Sequence, residues 1–325
     1  MKLRWSIILV LLSCAALLAG CQPLKVLDPK GPQAQTTADV IWISIATMAV
    51  VVISVIVLYA YIVRKYRASN QSEDYEPPHI EGSLKLEIVW TAIPVLIVAF
   101  LSVVTIISTF KVEAVPKGYN KEPLVIYASS SNWKWHFSYL EEGIETVNYL
   151  YIPTDRPIQF KLYSYGPISS FWIPQLGGQK YAMADMVNTL NLAADIPGEY
   201  MGRNANFSGE GFAEQTFSVK AVTPKEYDEW VEEVKATAEP LTEAKFAELL
   251  KPGHLGQSTY AGTHLAFSPP PQTHHTSGKK PGENGNTSED ERMPGDDPDP
   301  MDMDMNMEGM DHSVLERSGK DGFSK

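Results

Sequence analysis

Cysteine is nearly missing: there are two in a chain of 325 residues, Cys14 and Cys21. Their confinement to the first 21 positions excludes a disulfide scaffold and any cysteine-ligated metal site in the remainder. Basic charge is also short, with 27 Lys and Arg against 39 Asp and Glu and a formal net charge of −12. That balance gives no support to a nucleic-acid partner, which would want a concentrated basic face, and none is expected. Between residues 124 and 222 there is one histidine, His136, and no cysteine. Gly-rich phosphate loops, Ser-His-Asp arrangements and internal repeats are absent. Residues 266–325 are almost bare of large hydrophobes and hold 13 acidic against 6 basic residues. They cannot offset the entropy of ordering and are expected to form a disordered, acidic, Met- and His-rich tail.

A mean hydropathy of −0.15 conceals strong local contrasts. Residues 1–20 combine Lys2 and Arg4 with a short apolar run and end in Leu18-Ala19-Gly20 before Cys21, the pattern of an export signal. The last four residues also resemble a bacterial lipoprotein box. Cleavage there would leave Cys21 lipidated at the new N-terminus, followed by an extracytoplasmic segment, residues 21–39; the alternative is an ordinary signal with a chance cysteine. Residues 40–63 and 88–110 contain no charged side chain, and each run exceeds the ~20 residues that a helix needs to cross a bilayer. Pro94 falls near the start of the second run, where its missing N–H costs least. The connector, residues 64–87, opens with Arg64-Lys65-Tyr66-Arg67, which favours the cytoplasmic side. The expectation is a two-helix transmembrane hairpin in the bacterial plasma membrane with everything beyond Phe110 extracytoplasmic.

Residues 111–223 change to short β-rich runs separated by Pro and Gly, as in an antiparallel sandwich. Strands are expected at 124–128, 133–139, 157–163, 189–193 and 215–221. Alternation over 133–139 puts Trp133, Trp135 and Phe137 on one face and Lys134 and His136 on the other. The aromatic face either fills a core or, through Trp133 and Trp135, meets another subunit or an electron donor. From Pro224 the spacing of Tyr227, Trp230, Val231 and Val234 is helical, and a second short helix covers 242–250. Residues 224–265 are therefore expected to be a helical arm.

Two spans followed by an exported sandwich, with Glu87-Ile88-Val89-Trp90-Thr91-Ala92-Ile93-Pro94 opening the second span, resemble subunit II of the haem–copper terminal oxidases. The resemblance extends through Trp133-Lys134-Trp135, Ser169-Ser170-Phe171-Trp172-Ile173-Pro174-Gln175-Leu176-Gly177 and Pro197-Gly198-Glu199-Tyr200, in the same order. It implies an all-β cupredoxin-like sandwich, which in the cytochrome c oxidases holds a two-copper centre. On the family's frame the first histidine ligand falls on Ser169, the two cysteines on Asn204 and Ser208, and the second histidine on Phe212. The methionine falls on Gln215, and a backbone-carbonyl ligand on Asn206. Independently of that frame, soft thiolate and imidazole donors suit copper, and residues 124–222 offer only His136.

That departure resembles the quinol oxidases, closest to the Bacillus-type menaquinol enzymes with haems A, while the proteobacterial ubiquinol enzymes share the same losses. The resemblance implies a subunit with no catalytic residue and no cofactor of its own. Haems and copper would lie in subunit I. The partners would be subunit I, smaller membrane subunits and, through the complex, quinol, but not cytochrome c. It also implies a part for Glu87 at the mouth of a proton channel, the alternative being a solvated interfacial acid beside Lys85. A rival from another class is a membrane-anchored copper carrier using the Met301–Met310 thioethers with His274, His275 and His312.

Overall fold

The computed structural model describes residues 24–67 and 82–272. Helix α1 (Pro32–Lys65) and helix α2 (Leu84–Glu113) follow the two charge-free runs and overshoot them at both ends. Proline at its N-terminal end starts α1, where a missing N–H costs nothing. Pro94 departs from expectation: α2 begins ten residues earlier, so Pro94 lies inside the helix and leaves the Trp90 carbonyl without its intrahelical donor. Both helices are long and apolar enough to cross a membrane. Their large side chains, such as Val57, Leu96 and Phe110, stand exposed along their length, a contiguous apolar surface that water does not tolerate.

The overshoot holds the helices to the domain that follows. Gln33, Ala34, Thr36 and Ala38 are buried at the start of α1. Ala34 N–H donates to the Leu176 carbonyl at 3.1 Å, Lys30 N–H to Gln175 at 2.8 Å, and Asp195 N–H to Lys30 at 2.8 Å. At the end of α2, Lys180 reaches the Glu113 carboxylate at 2.5 Å and Asn191 donates to the Glu113 carbonyl at 2.9 Å.

The domain is a sandwich of two sheets. The first contains β1 (Leu124–Ser131), β2 (Lys134–Tyr139), β3 (Ile144–Val147), β5 (Ile158–Ser164), β8 (Asn188–Leu192) and β11 (Ser258–Ala261), in the order β11-β3-β2-β1-β5-β8. The second contains β4 (Tyr149–Pro153), β6 (Ser169–Trp172), β7 (Lys180–Ala182), β9 (Gly198–Asn204) and β10 (Thr216–Val222), in the order β4-β10-β9-β6-β7. Between them lies an aromatic core: Trp135 meets Phe171 edge-on at 5.2 Å, and Phe171 stacks on Phe217 at 5.0 Å. Gly202 faces inward where a Cβ would come within 2.1 Å of the Phe217 ring, so the core reaches the backbone of β9.

Trp133 is not on the strand. It takes φ 65° in the turn before β2, so the aromatic face of that strand is Trp135 and Phe137, both fully buried. Complete burial in the core corrects the reading of Trp135 as a contact residue. Lys134 and His136, on the other face, are buried too, because the C-terminal arm covers them. Helix α3 (Pro224–Thr237) opens with a capping box between Thr223 and Glu226 and buries Tyr227, Trp230 and Val234, with Trp230 stacked on Tyr151 at 4.7 Å. Helix α4 (Glu243–Leu249) lays Phe246 and Leu249 into a second cluster with Val147, Leu241 and Tyr260. The arm is not wholly helical, since β11 extends the first sheet by pairing with β3. Nor does packing stop at Ala266: Phe267 lies 5.9 Å from Phe246, and the Tyr165 hydroxyl donates to the Ser268 carbonyl at 2.9 Å. The export signal, Cys21, most of the connector and the tail beyond residue 272 lie outside the described residues.

The junction between α1 and the sandwich is tight enough to test. A Cβ on Gly31 would lie 1.9 Å from the Ala193 carbonyl oxygen. Gly31→Ala is expected to cost about 1–3 kcal/mol through overpacking, read as a lowered thermal midpoint of the detergent-solubilised protein; an unchanged midpoint would show a looser junction.

Candidate functional site

Five of the six positions assigned by resemblance to copper ligands converge at one end of the second sheet. Ser169 starts β6, Asn204 ends β9, and Gln215 directly precedes β10. The Asn204 N–H donates to the Gln215 carbonyl at 2.9 Å, closing the intervening loop, which carries Asn206 and Ser208. Inside it the Asn204 side chain is saturated. Its Oδ1 accepts from the N–H groups of Ser170 and Asn206 at 2.8 and 2.9 Å, and its Nδ2 donates to Gln215 Oε1 and Ser208 Oγ at 2.8 and 2.9 Å. Gln215 Oε1 also accepts from Ser208 Oγ at 3.3 Å, and its Nε2 donates to Ser169 Oγ and the Lys134 carbonyl, each at 3.4 Å. Asn206 Nδ2 ties the loop to the Ile168 carbonyl at 3.0 Å. Phe212 is not brought in; its ring packs against Phe207 at 5.5 Å.

Trp133 closes the loop from outside. Its indole N–H donates to the Ser208 carbonyl at 3.2 Å, and its ring lies so close over Gly211 that a Cβ there would approach within 2.5 Å. The other side of the indole stacks on His254 at 6.1 Å, and His254 pairs with Glu214 at 2.9 Å. These partners from the arm were not legible in the sequence, because the His254 contact spans more than a hundred residues. Glu87 lies apart from this site, exposed in the first turn of α2, where a carboxylate favours the helix dipole.

The donor set is amides and hydroxyls, hard and neutral, and their hydrogen-bonding capacity is spent on one another. It does not fit a two-copper centre, which needs bridging thiolates. His136 cannot substitute: it lies on the opposite face of β2, fully buried, with Nε2 bonded to Ser131 Oγ at 2.8 Å. The arrangement can hold a loop in place without metal.

Residues 25–107 match the family described as the transmembrane domain of cytochrome c oxidase subunit II. Quinol oxidase subunit 2 of Bacillus cereus is 48% identical over 272 residues, covering 83% of this chain and 94% of that protein. The subunit of the same description from Bacillus subtilis is 48% identical over 263 residues, 80% of this chain and 82% of that one. The chain belongs to the quinol oxidase subunit 2 family. It is a membrane subunit of a terminal oxidase, an oxidoreductase complex, and its partners are other subunits of that complex. Two apolar helices followed by a cupredoxin-like sandwich are the architecture expected of such a subunit. Among solved structures it is similar to the periplasmic domain of cytochrome oxidase subunit II from Bradyrhizobium japonicum, at 22% identity and a TM-score of 0.35 over 37% of this chain and 98% of that one.

Replacing Asn204 tests the network. Asn204→Ala leaves the buried Ser170 N–H, the part-buried Asn206 N–H and Gln215 Oε1 short of partners, at about 1–3 kcal/mol per buried group. The expected result is a large drop in thermal midpoint and faster proteolysis within residues 204–215. A midpoint matching the parent would mean that the loop is held by other contacts.

Proposed function

We propose that this chain is the copper-free subunit II of a respiratory quinol oxidase. The complex would oxidise membrane quinol, menaquinol by its likeness to the Bacillus enzymes, reduce O2 to water and translocate protons. The observation that carries the reading is the saturated Asn204–Gln215 network standing where thiolates, imidazoles and a thioether would be needed to accept electrons from cytochrome c. Haems and copper belong to subunit I, and this subunit performs no electron transfer of its own. Its work is assembly and cover: the exposed faces of α1 and α2 pack against membrane partners, and the sandwich caps the outer side of the complex.

Orientation follows from Arg64, Lys65 and Arg67 at the end of α1, which keep that end in the cytoplasm and place the sandwich outside. Cys21 carries the lipid that anchors the processed N-terminus; two acyl chains hold stably, since each buried CH₂ contributes ~0.8 kcal/mol. Glu87, exposed at the cytoplasmic start of α2, collects protons for the channel in subunit I without the cost of a mid-bilayer charge.

Tagged complex purified from membranes is expected to show a haem spectrum and to consume oxygen with quinol but not with reduced cytochrome c. Oxidation of cytochrome c, or a preparation without haem, would sink the reading. Glu87→Gln should slow oxygen uptake severalfold with haem content and subunit ratio unchanged; uptake at the parental rate would remove Glu87 from proton collection.

A further inference from the structure

The outer face of the first sheet is polar and dry, and no part of the oxidase reading uses it. Ser129, Ser131, Lys134, His136, Ser138, Glu145 and Tyr163 all point to that side, and each is at least 96% buried. The cover is the last part of the arm, residues 239–268, which crosses as α4, β11 and a short helical turn at His264–Ala266.

The strap is held at two buried polar points. At one, His264 Nδ1 lies 2.7 Å from Glu145 Oε1, and its Nε2 lies 2.6 Å from the Tyr163 hydroxyl. Ser138 Oγ donates to the second Glu145 oxygen at 2.6 Å, and Phe246 stacks flat on the His264 ring at 4.3 Å and 5°. At the other point the Lys134 ammonium donates to the carbonyls of Lys251 and Gly253 at 2.6 and 2.7 Å. Between the two lies His136, with the edge of the Phe246 ring against it at 5.5 Å. Its Nε2 has Ser131, but its Nδ1 has no partner.

We propose that residues 239–268 form an acid-released strap, closed over this face by the Glu145–His264–Tyr163 chain and the Lys134 ammonium, and opened when His136 takes a proton.

Closure is incompatible with a charged His136. The ring has no carboxylate partner, and the titratable groups facing it are Lys134 from its own strand, His264 from the strap, and Glu145 from β3, paired with His264. Tyr163 on β5 is the neighbouring phenol, and α4 presents only Phe246. Burial, followed by repulsion from the neighbouring His264 and Lys134, holds the imidazole down to about 3 from its ordinary 6.5. Because the closed-state value is depressed, the contribution of neutral His136 to closure is complete above pH 6.5. It is lost progressively as the pH falls towards 3. Burial also pulls the Lys134 ammonium below its usual value, but loss of that proton accompanies a rise in pH, the opposite direction to the acid opening. Linkage through His136 alone makes the open strap about 50-fold more populated at pH 4.5 than at pH 6.5, at a slope approaching tenfold per unit.

The test is amide hydrogen exchange of the intact, membrane-purified complex from pH 7.5 to 4.5 at fixed ionic strength, corrected for intrinsic rates. Exchange within 239–268 should accelerate about 50-fold between pH 6.5 and 4.5 while the five-stranded sheet keeps its protection. His136→Gln should flatten that slope. Glu145→Gln, which keeps His136, should retain the slope from a faster starting rate and serves if the first variant does not fold. Strap protection independent of pH, acceleration of both sheets in step, or an undiminished slope in His136→Gln would overturn the proposal.

Discussion

Six consecutive residues, Lys134–Tyr139, are buried, and the two faces of that strand are closed by different chemistry. On one side Trp135 and Phe137 enter an aromatic core shared with Phe171 and Phe217. On the other, Lys134, His136 and Ser138 lie under a strap that supplies carbonyls, an imidazole and the Phe246 ring. A strand buried on both faces depends on the protein itself for its polar partners, since water is excluded. That requirement accounts for the length of the arm. A sandwich ending at β10 would leave an ammonium, an imidazole and a carboxylate over a bare sheet, whereas residues 239–268 supply partners for the ammonium and the carboxylate and cover the imidazole with the Phe246 ring.

The same logic governs the loop between β9 and β10. Loops that carry a copper centre gain rigidity from the metal; here the loop after β9 is braced by two amide side chains that donate and accept in both directions. Asn204 and Gln215 suit that task because each offers two donors and an acceptor oxygen in one plane. A neutral network of this kind holds geometry without storing charge. Trp133 adds a lid, and His254 from the arm packs on that lid, so the loop and the arm are in contact.

Much of the architecture was legible in the residue pattern because it rests on local chemistry. Charge-free runs of membrane-spanning length yield helices whatever surrounds them, and β1, β2, β5, β8 and β10 lie where short β-rich runs meet turn residues. The strand at Ser258–Ala261 was not legible: four residues carry too little periodicity, and only its pairing with β3 makes it a strand. Trp133 was misplaced because strict alternation does not reveal a positive φ. At the candidate site, motif order located Ser169, Asn204, Asn206, Ser208 and Gln215, but their mutual saturation is a matter of ångströms. The exclusion of Phe212 is likewise a packing result.

By itself the sequence determined which chemistry is unavailable. A chain with both cysteines in its first 21 residues and one histidine between residues 124 and 222 has no thiolate there to bridge two coppers and a single imidazole, because donor identity is covalent and independent of folding. It determined equally that two helices would seek an apolar environment. Only the tertiary structure decided what the remaining polar groups do. Glu145 and His264 are separated by 119 positions, and whether an acid and an imidazole become a buried pair depends on the strap crossing at one register, an outcome of packing that no local pattern encodes.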